Sequence, residues 1–81
     1  MTWNYRIMRR KHPDDKTVDY GVYEVFYDEK GKIEGWTEEM ICPTGETLKE
    51  LIDDFKLYKQ AFSRPILDYE TGLEVSDEEK P

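Results

Sequence analysis

The run Val18 to Tyr27, VDYGVYEVFY, limits what this chain can fold into more than any other segment. β-Branched and aromatic side chains dominate it, and these suit a pleated surface, so it predicts a long central strand. Alternation sends Tyr20, Val22 and Phe26 to one face and Tyr23, Val25 and Tyr27 to the other. Both faces are apolar or aromatic, so the fold must cover the sheet on two sides.

The flanking segments supply neighbouring strands. Trp3, Tyr5 and Ile7 alternate with Asn4 and Arg6, which predicts a strand over Trp3 to Arg10, with Met8 on the opposite face. His12-Pro13-Asp14-Asp15 gathers turn formers and ends it near Lys11. Asp28-Glu29-Lys30-Gly31 suits a type I turn closed by a left-handed glycine, so Lys32 to Ile41 returns antiparallel. Gly35 and the pair Glu38-Glu39 mark that return as an edge strand, with Ile33 and Ile41 facing away from Trp36 and Met40.

After the break at Cys42-Pro43-Thr44-Gly45, Thr47-Leu48-Lys49-Glu50 matches a capping box and opens a helix. Leu48, Leu51, Ile52, Phe55, Tyr58 or Lys59, and Phe62 recur at spacings of three and four, an apolar stripe expected to pack on the sheet. Pro65 stops the helix near Ser63. Ile66 to Val75, folded around Thr71-Gly72, predicts either a short fourth strand or a cover across the sheet, and SDEEKP at 76–81 has the composition of a disordered acidic tail. The expected architecture is α+β: one domain over 1–75, with an antiparallel sheet of three or four strands in the order β-β-β-α-(β) and one helix packed on one face.

An 81-residue chain has no room for a second core and buries only about 60–65% of its unfolded surface. Disulfide or metal reinforcement is closed to it, because Cys42 and His12 are the only residues of their kinds. Self-association as a homodimer is the remaining help. The lone cysteine, and an opening MTWNYRIMRRK without an apolar signal region, point to the cytoplasm. No run approaches the roughly 18–20 apolar residues of a membrane span, so no membrane partner is expected.

The net charge is -7, yet residues 1–16 carry five bases against two acids. Residues 17–43 hold seven acids against two bases, and 44–81 hold ten against five. An acidic body argues against nucleic acid as the partner and for a protein, small and basic, if there is one. Arg6, Arg9, Arg10 and Lys11 form the basic cluster and read as solvated strand-end charge.

Catalytic chemistry finds no footing. His12 sits on a turn between Lys11 and Pro13, which suits an exposed loop residue. Cys42 has no histidine placed to activate it and is expected to be a small buried hydrophobe. The acid pairs Asp14-Asp15, Asp53-Asp54 and Glu78-Glu79 lack calcium-loop spacing, and Gly31, Gly35 and Gly45 form no phosphate cradle. No catalytic, cofactor-binding or metal-ligating residue is assigned, and no cofactor is expected. If one helix covers one sheet face, the other is left for the C-terminal segment, a second copy or another protein, and Tyr23, Tyr27, Trp36 and Met40 are the candidate partner-binding residues.

Three strands, a capped helix and a fourth strand, with G-E-T-L-K-E-L at Gly45 to Leu51, resemble the HicB-like antitoxin domain. The resemblance spans roughly residues 3–75 in outline and seven residues in motif. It implies a partial RNase H-like fold that dimerises and masks a small basic ribonuclease toxin. The family's Pro-x-x-Pro-Gly segment is absent, and a DNA-binding domain after the helix is not expected. The stretches Trp3 to Arg6 and Gly35 to Glu38 also resemble small uncharacterised bacterial proteins. The expected function is a non-enzymatic protein-binding module, antitoxin-like or regulatory. Two alternatives stand beside it: an acidic nucleic-acid mimic, disfavoured because Lys30, Lys32, Lys49 and Lys56 interrupt the acids, and a small hydrolase or metal enzyme.

Overall fold

A computed structural model describes residues 2–75; the expected tail at 76–81 lies outside the described residues. β1 (Thr2–His12) and β2 (Thr17–Tyr27) pair antiparallel along their whole length, from Thr2 opposite Tyr27 to His12 opposite Thr17. Lys16, in a left-handed conformation at φ 61°, turns the chain between them, its N–H donating to the His12 carbonyl at 2.8 Å. β3 (Ile33–Trp36) follows the expected tight turn, where Asp28 Oδ1 accepts from the N–H groups of Lys30 and Lys32 and Gly31 takes φ 81°. After the helix α1 (Leu48–Lys59) and a single 3-10 turn at Gln60–Ser63, the short β4 (Leu67–Asp68) lies parallel to β1. The sheet is therefore mixed, in the order β3-β2-β1-β4, and the α+β architecture stands with a fourth strand in place.

β3 is shorter than the expected Lys32 to Ile41. Beyond Trp36 the chain keeps separate bonds to β2: Thr37 N donates to the Glu24 carbonyl, Thr37 Oγ1 accepts from Glu24 N, and Ile41 N donates to the Val22 carbonyl. A bulge beside Phe26 and Tyr27 admits one extra residue, so Ile33 opposes Tyr27 while Gly35 opposes Phe26. That extra residue resets the alternation. Ile33 and Trp36 share a face, against the expectation that they oppose each other, and Ile41 packs on the other side.

The two faces are covered unequally. On the first, Tyr5, Ile7 and Val22 form a cluster with Ala61 and Ile66, flanked by Ile41, Tyr58 and Val75. On the second, Met8, Tyr23, Val25 and Leu67 are buried beneath Tyr69, Trp36, Tyr27 and Ile33. The cover on this second face is the chain's own C-terminal segment. Residues 66–75 turn back on themselves, with Val75 N bonded to the Ile66 carbonyl and Asp68 N to the Leu73 carbonyl. The turn is completed by Gly72, at φ 74°, where a Cβ would also strike the Trp36 ring, so glycine is required twice over.

Arg6 locks this segment in place. It is buried, and its guanidinium donates through Nε and Nη2 to the Pro65 carbonyl (3.3 and 2.8 Å) and through Nη1 to the Tyr27 hydroxyl (2.9 Å). The Tyr27 hydroxyl in turn donates to Asn4 Oδ1 at 2.8 Å. Arg9 bonds Asp68 at 3.3 Å, and Arg10 stacks 4.1 Å over the Tyr69 ring. The expected solvated basic cluster is thus committed largely to the chain itself.

Candidate functional site

The helix is where sequence and packing part company. Its N-terminus forms as expected: Thr47 Oγ1 accepts from Glu50 N at 3.1 Å, while the Glu50 carboxylate reaches Glu46 N at 3.0 Å, one residue earlier than a capping box usually closes. Yet no residue of α1 is buried. At 3.6 residues per turn, Asp54, Tyr58 and Ala61 form the row that meets the sheet, roughly a third of a turn from the row Leu48, Ile52, Phe55, Lys59 and Phe62. Asp54 takes the Tyr5 hydroxyl at 2.7 Å, the Tyr58 ring lies 6.0 Å from that of Tyr5, and Ala61 is fully buried. The second row points away. Leu48 is 72% exposed, Phe62 62%, Phe55 50% and Ile52 46%.

The expectation that the whole stripe packs on the sheet is thereby corrected. The sheet side is taken by a polar contact and an alanine, which draw the 3-10 turn close and roll the larger apolar row outward. The sequence signal was present as spacing: Leu48, Ile52, Phe55, Lys59 and Phe62 repeat at alternating intervals of four and three, the pattern of a helix-pairing seam.

At the C-terminal end of this row the surface dips into a hollow of about 200 Å³ lined by Ile7, Tyr20, Gly21, Val22, Met40, Tyr58 and Phe62. Met40 lies across Gly21, whose missing side chain gives it room, and stays half exposed beside a half-exposed Tyr20. An exposed apolar row running into an apolar hollow presents contact area and shape, with no convergent titratable groups.

The other expected partner residues lie elsewhere. Tyr23 is fully buried, its ring 5.4 Å from Tyr69, and it leaves the interface set because residues 66–75 roof it. Tyr27 and Trp36 are partly buried under the same roof, Trp36 standing edge-on to Tyr69 at 6.1 Å. Of the four, Met40 alone lines the hollow.

Among the described residues, the other clusters do not converge on chemistry. Around Tyr5, Thr44, Gly45, Glu46, Glu50 and Asp54 there is an open depression, but two of its three carboxylates are engaged with the backbone: Asp54 Oδ2 takes Thr44 N at 2.9 Å, and Glu50 takes Glu46 N. A second depression, at the β2–β3 turn, mixes Asp28, Glu29 and Glu34 with Lys30 and Lys32. His12 bonds Asp19 at 3.0 Å on the surface. Cys42 is exposed, correcting the expectation of a buried hydrophobe, because the chain leaves β2's edge at Ile41 and does not return its next residue to the sheet. Among the described residues, no group of three or more His, Cys, Asp and Glu is placed to hold a metal, and no helix is long and apolar enough to cross a membrane.

The Tyr5–Asp54 bond fastens the helix to the sheet and has a pH signature. Burial, then the bond to Asp54 and the nearby charges of Asp54 and Glu24, push the Tyr5 phenol well above its ordinary value of 10.0. A raised phenol pKa contributes stability that is complete below the unfolded value and lost as the pH climbs through the folded one. Urea midpoints measured from about pH 9 upward should fall more steeply for the natural chain than for Tyr5→Phe. Equal slopes would mean that this bond does not hold the helix.

Comparison with family models, with curated proteins and with solved structures returns no match to this chain.

Proposed function

We propose that this chain is a non-enzymatic protein-binding module that works in the cytoplasm and docks through the outward row of α1 and the hollow beside it. The observation that carries this reading is the row itself: Leu48, Ile52, Phe55 and Phe62 stay exposed in a chain too small to spare apolar area. A solvated helix needs no such residues, whereas a partner that covers them gains the burial that the sheet does not provide. The order β-β-β-α-β and the GETLKEL run, similar to those of HicB-like antitoxin domains, favour a regulatory or antitoxin-like role. A net charge of -7 favours a basic protein over nucleic acid as the regulated target.

The test is a tagged pull-down from the native cell, with the natural chain and with Phe55→Asp compared at low and high salt. Phe55 is half exposed, so its replacement leaves the core intact. A partner recovered by the natural chain and lost with Phe55→Asp is the expected result; equal recovery by both overturns the assignment of this face.

A further inference from the structure

We infer that the occupant of the outward row of α1 is a second copy of this chain, packed helix against helix and antiparallel about a two-fold axis at Phe55. The inference rests on the reading that this row is a docking face, and two independent observations single out the occupant.

The first is area. Leu48, Ile52, Phe55, Phe62, Met40 and Tyr20 leave on the order of 600 Å² exposed between them, most of the ~800 Å² that each partner buries in a standard interface. One further copy is enough to cover the row, and with neither disulfide nor metal available to a chain of this size, association is the route left to added stability.

The second is that the row and its flank are self-complementary. Antiparallel pairing about Phe55 sets Leu48 against Phe62 of the other copy at both ends, Phe55 against its own counterpart, and the Lys59 stem beside Leu51 and Ile52. The flank at the edge of the row reads Lys49, Asp53, Lys56 and Gln60, and Lys49 already holds Asp53 at 2.9 Å within the chain. The same two-fold brings Lys56 of each copy beside Asp53 of the other, so the pairing that buries the apolar row also sets unlike charges together, twice. A parallel two-fold would put this flank of each helix on opposite sides of the interface, so neither Lys56–Asp53 pair would form.

Size-exclusion chromatography with light scattering on the purified full chain tests this. At about 100 µM the natural chain should run at twice 9.7 kDa, and Phe55→Asp should weaken association by at least ~tenfold while keeping the circular dichroism of the fold. Lys56→Glu should weaken the dimer, as should Asp53→Lys; the swap D53K/K56E, or an equal mixture of the two single variants, should restore it. A natural chain that is monomeric at that concentration overturns the inference, and so does a dimer indifferent to Phe55→Asp or left weakened by the swap. If the monomeric chain nevertheless loses a cellular partner through Phe55→Asp, the dimer fails and the docking face stands. If Phe55→Asp changes neither assay, both fail.

Discussion

Tyr23→Ala should lower the stability of the protein by about 3–5 kcal/mol, the largest loss expected of any single truncation. Tyr23 is the largest of the fully buried side chains, wedged between Met8, Val25 and Leu67 and capped by Tyr69. Truncating a buried ring to alanine removes its transfer free energy and leaves a cavity, together costing about 3–5 kcal/mol. Domains of this size have about 4–12 kcal/mol in total, so the loss takes much of the stability. The hydroxyl meets no hydrogen-bond partner of good geometry, although the Arg10 guanidinium is near enough to interact with it. Tyr23→Phe should therefore stay within about 1 kcal/mol of the natural chain. Urea titrations of both variants check the pair of statements. A mild effect of Tyr23→Ala would mean that residues 66–75 do not close over this face in solution, and would return Tyr23 to the interface set.

Arg6→Ala should produce the second largest loss, about 2–4 kcal/mol, because hydrogen bonds from a charged donor are each worth more than neutral ones and Arg6 makes three at a buried position. The bonds join β1 to the chain just past α1 and to β2, so the effect should reach the C-terminal cover as well as the strand. Arg6→Lys should recover less than half of the loss. A single ammonium does not span the Pro65 carbonyl and the Tyr27 hydroxyl, which the planar fork reaches at once. Equilibrium denaturation of the three chains settles it, and full recovery by lysine would show that charge at this position, not the forked geometry, secures the segment.

Much of this fold was legible in the sequence, and for identifiable reasons. The 20–27 alternation and the Asp28–Gly31 turn are local, so the β1–β2–β3 order followed from them, and Thr47 with Glu50 announced the helix start within a residue. What was not legible depends on contacts distant in sequence. The bulge beside Tyr27 reset the faces of Ile33 and Trp36, and one inserted residue leaves no periodicity to read. The parallel placement of β4 depends on Arg6 and Arg9 reaching Pro65 and Asp68, some 59 residues away. The site was half legible. A spare apolar surface was expected, and it exists, but on the helix and not on the sheet: Tyr69 and Gly72 let a short polar-looking segment cover Tyr23, while the Tyr5–Asp54 bond rolled the helix so that Leu48, Ile52 and Phe55 face outward. The stripe was visible in the pattern; its direction was set by one tyrosine hydroxyl.

The proposed docking face is the outward row of α1, and not the sheet face beneath residues 66–75. Methyl-labelled NMR spectra of the natural chain, recorded across a dilution series, test it most directly. The account predicts concentration-dependent shifts confined to Leu48, Leu51, Ile52 and Met40, with Leu67 and Val25 unmoved. Shifts centred on Val25 and Leu67 would contradict it, whereas spectra that do not change with concentration would remove a second copy as the occupant.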